Sequence, residues 1–424
     1  MKVLMWQRAL EAALALAALV GGACVAHRQE PVRTPAAPPP LLLISIDGVR
    51  YDYLERADTP ALDRLAAGGL KADALVPVFP TKTFPTHYAI VTGLYAESTG
   101  VVANSMWDPG RRARFSLRDR DAVGDGFWYG GEPIWVTAQR QGLKAAAYFW
   151  PGSEAQIRGV RPTWWTPYEH DTPHEERVAQ ILAWLDLPAG ERPSVLTLYF
   201  SSVDSAGHRF GPESPEVIPA IEDVDSHLGR LLDGLEARGL LDAMHILVVS
   251  DHGMAATDAE RTIMLDDYLD LSRLHVSDWG PAAHIWAGDM GTDEIVAALD
   301  NAHPRLRVWR RNEIPERYHF RDHLRIPDVL AEADLGWLIS SRSYMASLEG
   351  HYSRGMHGWD PRHLEMHGIF LAHGPAFTPG DRMGLVEAIH LYELMAALLG
   401  LEPSPNDGRL AAFAGHVTGV RPPR

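Results

Sequence analysis

Short apolar runs without alternation recur along the chain, each closing on polar residues: LLLISI (41–46), AAAYFW (145–150), VLTLYF (195–200), HILVVS (245–250) and GIFLAH (368–373). A strand with one wet face would alternate, so runs of this kind predict strands buried on both faces of a sheet. Between them lie segments with helical spacing: TPALDRLAAGG, TPHEERVAQILAWLDL and SPEVIPAIEDVDSHLGRLLDGLEARG. The last begins at a Ser-Pro start signal and closes at Gly239. Strands alternating with helices predict an α/β sandwich with a mostly parallel central sheet and helices on both faces. Residues about 260–345 break the rhythm with pieces such as RLRVWRRNEIPERYHF and read as a small inserted cap. No internal repeat is evident.

The N-terminal pattern is of another kind. Residues 1–26 combine a short basic start, an Ala/Leu-rich run and small residues at its end, and read as an export signal. Glu11 interrupts the run, which leaves it short for a bilayer span and favours cleavage over anchoring. Gly22-Ala23-Cys24 loosely resembles a bacterial lipoprotein cleavage site, with Cys24 as the lipidated residue, although Gly21 stands where leucine is usual. HRQEPVRTPAAPPP (27–40) reads as a stiff Pro-rich linker, which leaves 41–424 as one catalytic domain.

Composition narrows the function. A chain of 424 residues, 46% hydrophobic, can bury one large core, and Cys24 is its only cysteine, so no intramolecular disulfide contributes. Lys plus Arg number 39 against 55 Asp plus Glu, a formal charge of −16, which weighs against a general nucleic-acid binder. An anionic substrate would need positive charge brought by metal ions, and 20 histidines make that reasonable.

The candidate chemistry sits where the apolar runs end, the place at which open α/β sheets gather ligands. LLLISI is followed by Asp47-Gly48, VLTLYF by SSVDSAGH with Asp204 and His208, and HILVVS by Asp251-His252-Gly253. Carboxylate with neutral imidazole is a donor set that zinc accepts. Any one of these acids could simply cap a helix or turn, but three together point to metal. His351, His357, His367 and His373 could complete the site; His357, in a loop between glycines, leads modestly, and His373, at a predicted strand end, competes. In FPTKTFPTHYAIVTG (79–93), Pro85 suits the first turn of a helix with Thr83 near its cap, where free N–H groups favour an anion. Either Thr83 or Thr86 could then be the useful hydroxyl.

PTKTFPTHYAIVTGLYAESTGVVANSMWD, with SIDG, DSAGH, SDHGM and GMHGWD, resembles the nucleotide pyrophosphatase/phosphodiesterase family of the alkaline phosphatase superfamily. The likeness runs from about Leu41 to Asn406, takes in FWPGSEAQIRGVRPTWW and AHGPAF, and suggests a compact bacterial member. It implies an alkaline-phosphatase-like sandwich with two Zn2+ per chain. Thr83 would be the nucleophile, with Asp47, Asp251, His252 and the Thr83 oxygen on one zinc and Asp204, His208 and His357 on the other. Asn104 would donate to a phosphate oxygen. Phe84 and Tyr199 would flank a nucleobase with Tyr168 beside them, the alternative for all three rings being core packing. Thr86 departs from the asparagine usual in the family, and Lys82 matches it without an assigned catalytic role.

The implied activity is zinc-dependent hydrolysis of nucleotide phosphodiester and pyrophosphate bonds to nucleoside 5′-monophosphates through a threonyl-nucleotide intermediate. A choline-phosphodiester or lysophospholipid phosphodiesterase is the alternative, since it would share almost every motif. No stable nucleic-acid complex is expected, membrane association would come only through a lipid on Cys24, and the location would be periplasmic or lipid-anchored in the cell envelope.

Overall fold

The computed structural model describes residues 38–420. The export-signal and Cys24 readings, and the linker up to residue 37, fall outside the described residues.

Eight strands form the central sheet: β1 (Leu41–Ile46), β2 (Gly69–Ala72), β3 (Ala145–Tyr148), β4 (Trp164–Thr166), β5 (Val195–Phe200), β6 (His245–Val249), β7 (Phe370–His373) and β8 (Asp381–Met383). Their spatial order is β8-β2-β7-β6-β1-β5-β3-β4. The unbroken apolar runs have the predicted cause. In β1, Leu41 and Leu43 pack into the core on one side of the sheet, while Leu42, Ile44 and Ile46 pack into the core on the other. β6 does the same, with Leu247 and Val249 on one side and Ile246 and Val248 opposite.

The sheet is mostly parallel: β1 runs parallel to both β5 and β6, β3 to both β5 and β4, and β8 to β2. β7 is the exception and lies antiparallel to both β6 and β2. The AAAYFW run is strand only to Tyr148, because Phe149 turns the chain at φ +65°.

Helices α1 (Pro60–Ala67), α2 (Thr83–Thr92), α3 (His174–Leu185), α4 (Ser202–Phe210) and α5 (Val217–Glu236) flank the sheet. α5 buries Val217, Ile221, Val224, Leu228, Leu231, Leu232 and Leu235, the stripe that three- and four-residue spacing dictates. It starts three residues after the Ser214 of the Ser-Pro signal, and the chain leaves it through Gly239 at φ +64°. The irregular region forms a separate four-stranded antiparallel sheet from segments His275–Asp278, Ala282–Trp286, Leu306–Arg310 and Val329–Ala333. It carries its own apolar cluster around Ile285, Ile295, Leu299 and Val329. Among the described residues no helix is long and apolar enough to cross a membrane.

Candidate active site

β6, β1 and β5 are adjacent and parallel, so their carboxyl ends meet at one edge of the sheet. Asp47 leaves β1, Asp251 leaves β6, and Asp204 sits in the first turn of α4 just after β5. The approach is close enough to require glycine at position 48: its φ is +73°, and a Cβ there would lie 2.8 Å from the Asp204 Cα. The Gly48 N–H also donates to Asp251 Oδ1 at 3.3 Å.

Three histidines join the acids. His252 Nε2 lies 3.1 Å from Asp251 Oδ2 and 3.4 Å from Asp47 Oδ1. His208 Nε2 lies 3.2 Å, and His357 Nε2 3.8 Å, from Asp204 Oδ1. The His252 and His357 rings stack with centroids 3.5 Å apart. Each imidazole is turned in the same way. Nδ1–H donates to a backbone carbonyl, of Gly253 at 2.9 Å for His252, of Gly355 at 2.7 Å for His208 and of Thr81 at 2.8 Å for His357. That bond fixes the tautomer of the neutral ring, in which Nε2 is a bare lone pair facing the carboxylates.

Such an arrangement fits divalent cations. Asp47 Oδ1, Asp204 Oδ1 and Asp251 Oδ2 are buried atoms without a hydrogen-bond partner, which is costly for carboxylates. Burial, then the charges of Asp251 and Asp204, push the Asp47 carboxyl well above its usual range. Burial acts in the same sense on Asp251, but His252 and His87 beside it hold that carboxyl well below. At Asp204 burial is again overcome, here chiefly by His208, to about 2. Burial depresses His357, which favours the neutral, ligating imidazole, whereas against burial the neighbouring carboxylates raise His208 to about 9 and His252 above its usual value, so those two rings must give up a proton to a metal. Acids this crowded cannot all ionise comfortably on their own, and divalent charge among them would satisfy every orphaned oxygen.

Thr83 opens α2, and its Oγ1 stands 3.5 Å from His252 Nε2. Thr86 is fully buried and does not line the cavity that Thr83 lines, so the geometry separates two hydroxyls that local sequence rules left level. Asn104 Oδ1 accepts from the Phe84 N–H at 2.9 Å, which leaves the Asn104 amide NH2 as a free donor beside the helix start. A cavity of about 310 Å³ runs from these atoms past Phe84, Tyr168, Tyr199 and His208. A wider cleft of about 1320 Å³ shares Ser205 and His208 with it and leads out along Arg209 and Arg354.

The seven predicted ligands, Thr83 among them, thus come together, while His373 does not. β7 is antiparallel, so its end points to the opposite edge of the sheet, where His373 pairs with Asp242 at 3.1 Å. His351 is exposed, and His367 Nε2 is bonded to the Pro361 carbonyl. The aromatic residues divide. Phe84 is half-buried against Phe115, whereas Tyr199 is 8% exposed and gives its hydroxyl to Asp47 Oδ2 at 2.5 Å. Tyr168 bonds Ser201 and His170, both at 3.0 Å.

Sequence reasoning missed His87, one helical turn after Thr83. Its Nδ1 meets the Thr83 carbonyl at 2.9 Å and Asp251 Oδ2 at 3.3 Å, and its Nε2 pairs with Ser45 Oγ at 2.7 Å. The Thr-x-x-x-His spacing on a helix was the available signal. It also missed Arg120 and Glu154, which line the cavity as an ion pair.

A model of the type I phosphodiesterase / nucleotide pyrophosphatase family matches residues 41–360. Venom phosphodiesterase of Naja atra is 40% identical over 381 residues, covering 87% of this chain and 45% of that protein. Human ectonucleotide pyrophosphatase/phosphodiesterase family member 5 is 38% identical over 368 residues, covering 87% of this chain and 76% of that protein. The chain therefore spans a little under half the length of the venom protein and three quarters of the human one. The solved structure of murine ectonucleotide pyrophosphatase/phosphodiesterase 5 superposes with a TM-score of 0.85 at 37% identity, over 89% of this chain and 100% of that one. An inactive variant of the murine protein in complex with AMP gives the same score and identity over 90% and 100%.

Proposed function

This chain belongs to the type I phosphodiesterase / nucleotide pyrophosphatase family, a family of hydrolases, and we propose that it cleaves nucleotide phosphodiester and pyrophosphate bonds to nucleoside 5′-monophosphates with Thr83 as nucleophile and two zinc ions as cofactors. The observation that carries this reading is the set of three imidazoles pinned through Nδ1 to carbonyls, with Nε2 turned toward partnerless carboxylate oxygens beside the Thr83 hydroxyl. The AMP complex of the murine relative supports a nucleotide substrate. Relatives named for venom and for ectoenzymes support a site of action outside the cytosol, and within that the periplasm or cell envelope is our proposal.

Asp47, Asp251 and His252 with the Thr83 oxygen would hold one ion, and Asp204, His208 and His357 the other. Bound there, the ions would supply Lewis-acid charge that makes a threonine hydroxyl ionisable near neutral pH and steadies a departing oxygen. Thr83 Oγ forms a bond to phosphorus as the opposite P–O bond to the leaving group breaks. The Asn104 amide and the N–H groups of the helix start donate to the non-bridging oxygens. Water then attacks phosphorus from the vacated side, the bond to Thr83 breaks, and its oxygen regains a proton. The wide cleft beyond His208 gives the leaving group a way out.

The deciding experiment pairs metal analysis with a substrate panel. Purified protein should carry zinc, lose activity to a chelator and regain it with zinc. It should prefer a nucleotide aryl diester over a choline phosphodiester and a simple aryl monoester. Absence of stoichiometric transition metal defeats the proposal, and a preference for the choline ester transfers it to the lipid-directed alternative.

A further inference from the structure

A second constellation lies apart from the catalytic residues, where α3 begins against α5. His174 is the first residue of α3, and Asp223 and His227 stand one turn apart on α5. A nitrogen from each imidazole and a carboxylate oxygen lie within 4.8 Å of one another. His174 Nδ1 is 3.0 Å from Asp223 Oδ2, yet it is buried and makes no hydrogen bond of proper geometry. Two donor atoms edge to edge on one zinc would sit about 3.3 Å apart for bonds of about 2.0 Å.

The two imidazoles differ: His174 turns Nδ1 toward the carboxylate, and His227 is pinned through Nδ1 as the active-site rings are. His227 Nδ1–H donates to the Asp223 carbonyl at 2.8 Å, which leaves Nε2 as its free lone pair. Burial, then the charge of Arg177, lowers the His174 pKa and keeps that ring neutral. The rings stand at 89° with centroids 5.4 Å apart, and the cleft they border also carries Asp171 and Glu175, whose charge favours a cation. The guanidinium of Arg177, held by the carbonyls of His170, Thr172 and Tyr199, opposes a cation there with one charge, against the three carboxylates of Asp171, Glu175 and Asp223.

We propose that His174, Asp223 and His227 bind a further divalent metal ion of the zinc class, which fastens the start of α3 to α5. Arg177, one turn into α3, already ties the 170–172 segment to β5 through those three carbonyls. An ion at His174 therefore anchors the stretch that carries Tyr168 and His170 to the substrate cavity.

The test counts metal in the full chain, stripped with a chelator, re-equilibrated with zinc and desalted. Wild type should carry one zinc more per chain than His227→Gln, at a largely buried side chain, and than Asp223→Asn, at an exposed one, two changes that nearly keep side-chain size. A failure of the catalytic metal reading would lower the count in all three proteins alike and leave that difference intact. Equal counts overturn the site. In the same proteins, zinc at about ten times its Kd should slow amide exchange across residues 168–176 by about tenfold in wild type and not in either variant. A lost equivalent with unchanged exchange overturns the anchoring.

Discussion

Tyr199 gives its hydroxyl to Asp47 at 2.5 Å and is nearly buried, its ring set edge-on to His87 at 5.4 Å and to Tyr168 at 5.8 Å. Sequence motifs assign it to a nucleobase, but an O–H on a buried carboxylate acts on metal affinity, and removal of such a supporting bond typically costs about 10- to 100-fold. Tyr199→Phe should lower kcat/KM by about that factor on a nucleotide diester and on a methyl aryl diester without a base. Loss confined to the nucleotide would return the residue to base recognition. Phe84, half-buried at the cavity, should behave in the opposite way: Phe84→Ala should cost about 5- to 150-fold on the nucleotide diester alone, if stacking contributes about 1–3 kcal/mol. The hydroxyls separate as cleanly. Thr83→Ala should abolish turnover with metal content intact and Thr83→Ser should keep part of the rate, while Thr86→Ala, deep in the core, should cost stability rather than chemistry. Equal and total loss of turnover in both alanine variants would sink the assignment of the nucleophile.

Elements decide which of these residues can meet. The acids were legible because parallel neighbours deliver their carboxyl ends to one edge, and an acid after an apolar run marks that edge directly. His373 stayed a competitor to His357 because a run of apolar residues carries no direction: β7 reads like β6 and points the other way. Gly48 joins two of the elements, since it lets the start of α4 approach the end of β1. Gly48→Ala should displace Asp204 from Asp47 by enough to cost on the order of 100-fold in activity, with zinc content reduced; near-normal metal and rate would show that the contact relaxes cheaply. The cap was visible only as lost rhythm. Lys82, to which no role could be given, reaches from the cap residue of α2 to an ion pair with Asp278 on the inserted sheet. At the same junction the carboxylate of Glu332 takes the Tyr318 hydroxyl at 3.0 Å, and burial raises its pKa to about 7 from 4.5. A folded-state pKa above the unfolded one means that the stabilisation is complete below pH 4.5 and is lost as pH rises through about 7. Glu332→Gln should flatten that fall, worth on the order of 3 kcal/mol at most, in denaturant midpoints taken at about pH 5 and pH 8; an unchanged slope would mean that Glu332 ionises freely.

At the scale of the whole molecule, the fold class and the strand-end acids followed from pattern, since buried strands and the acids after them leave marks in a single sequence, whereas the full ligand set, with His357 and Thr83, came from the family resemblance. The tautomers of the histidines, the Tyr199 bond and the His87 support did not, because they depend on contacts between segments far apart in the chain. Charge belongs to both levels. The chain carries −16, and the only arginine or lysine among the described residues that line the cavity is Arg120, already paired with Glu154. Lys82 is likewise held by Asp278. What would face a phosphate beyond the proposed metal ligands is therefore the neutral Asn104 amide and backbone N–H groups. A diester brings one negative charge and is matched by such donors, whereas a monoester dianion brings a second that meets no free cation. One uncompensated charge about 4 Å from another is worth up to about 4 kcal/mol at the effective dielectric of a protein surface. Even half of that makes a diester preferred by more than about tenfold, and the whole of it by about a thousandfold. Kcat/KM for a methyl aryl phosphodiester should accordingly exceed that for the matching aryl monoester, after correction for their different intrinsic reactivities. Opening a cation at the rim should narrow the gap: Glu154→Gln frees the Arg120 guanidinium beside the cavity and should raise monoester turnover relative to diester. A wild-type enzyme that favours the monoester would mean that the bound metals alone compensate the second charge and that the neutral Asn104 donor does not set the selection.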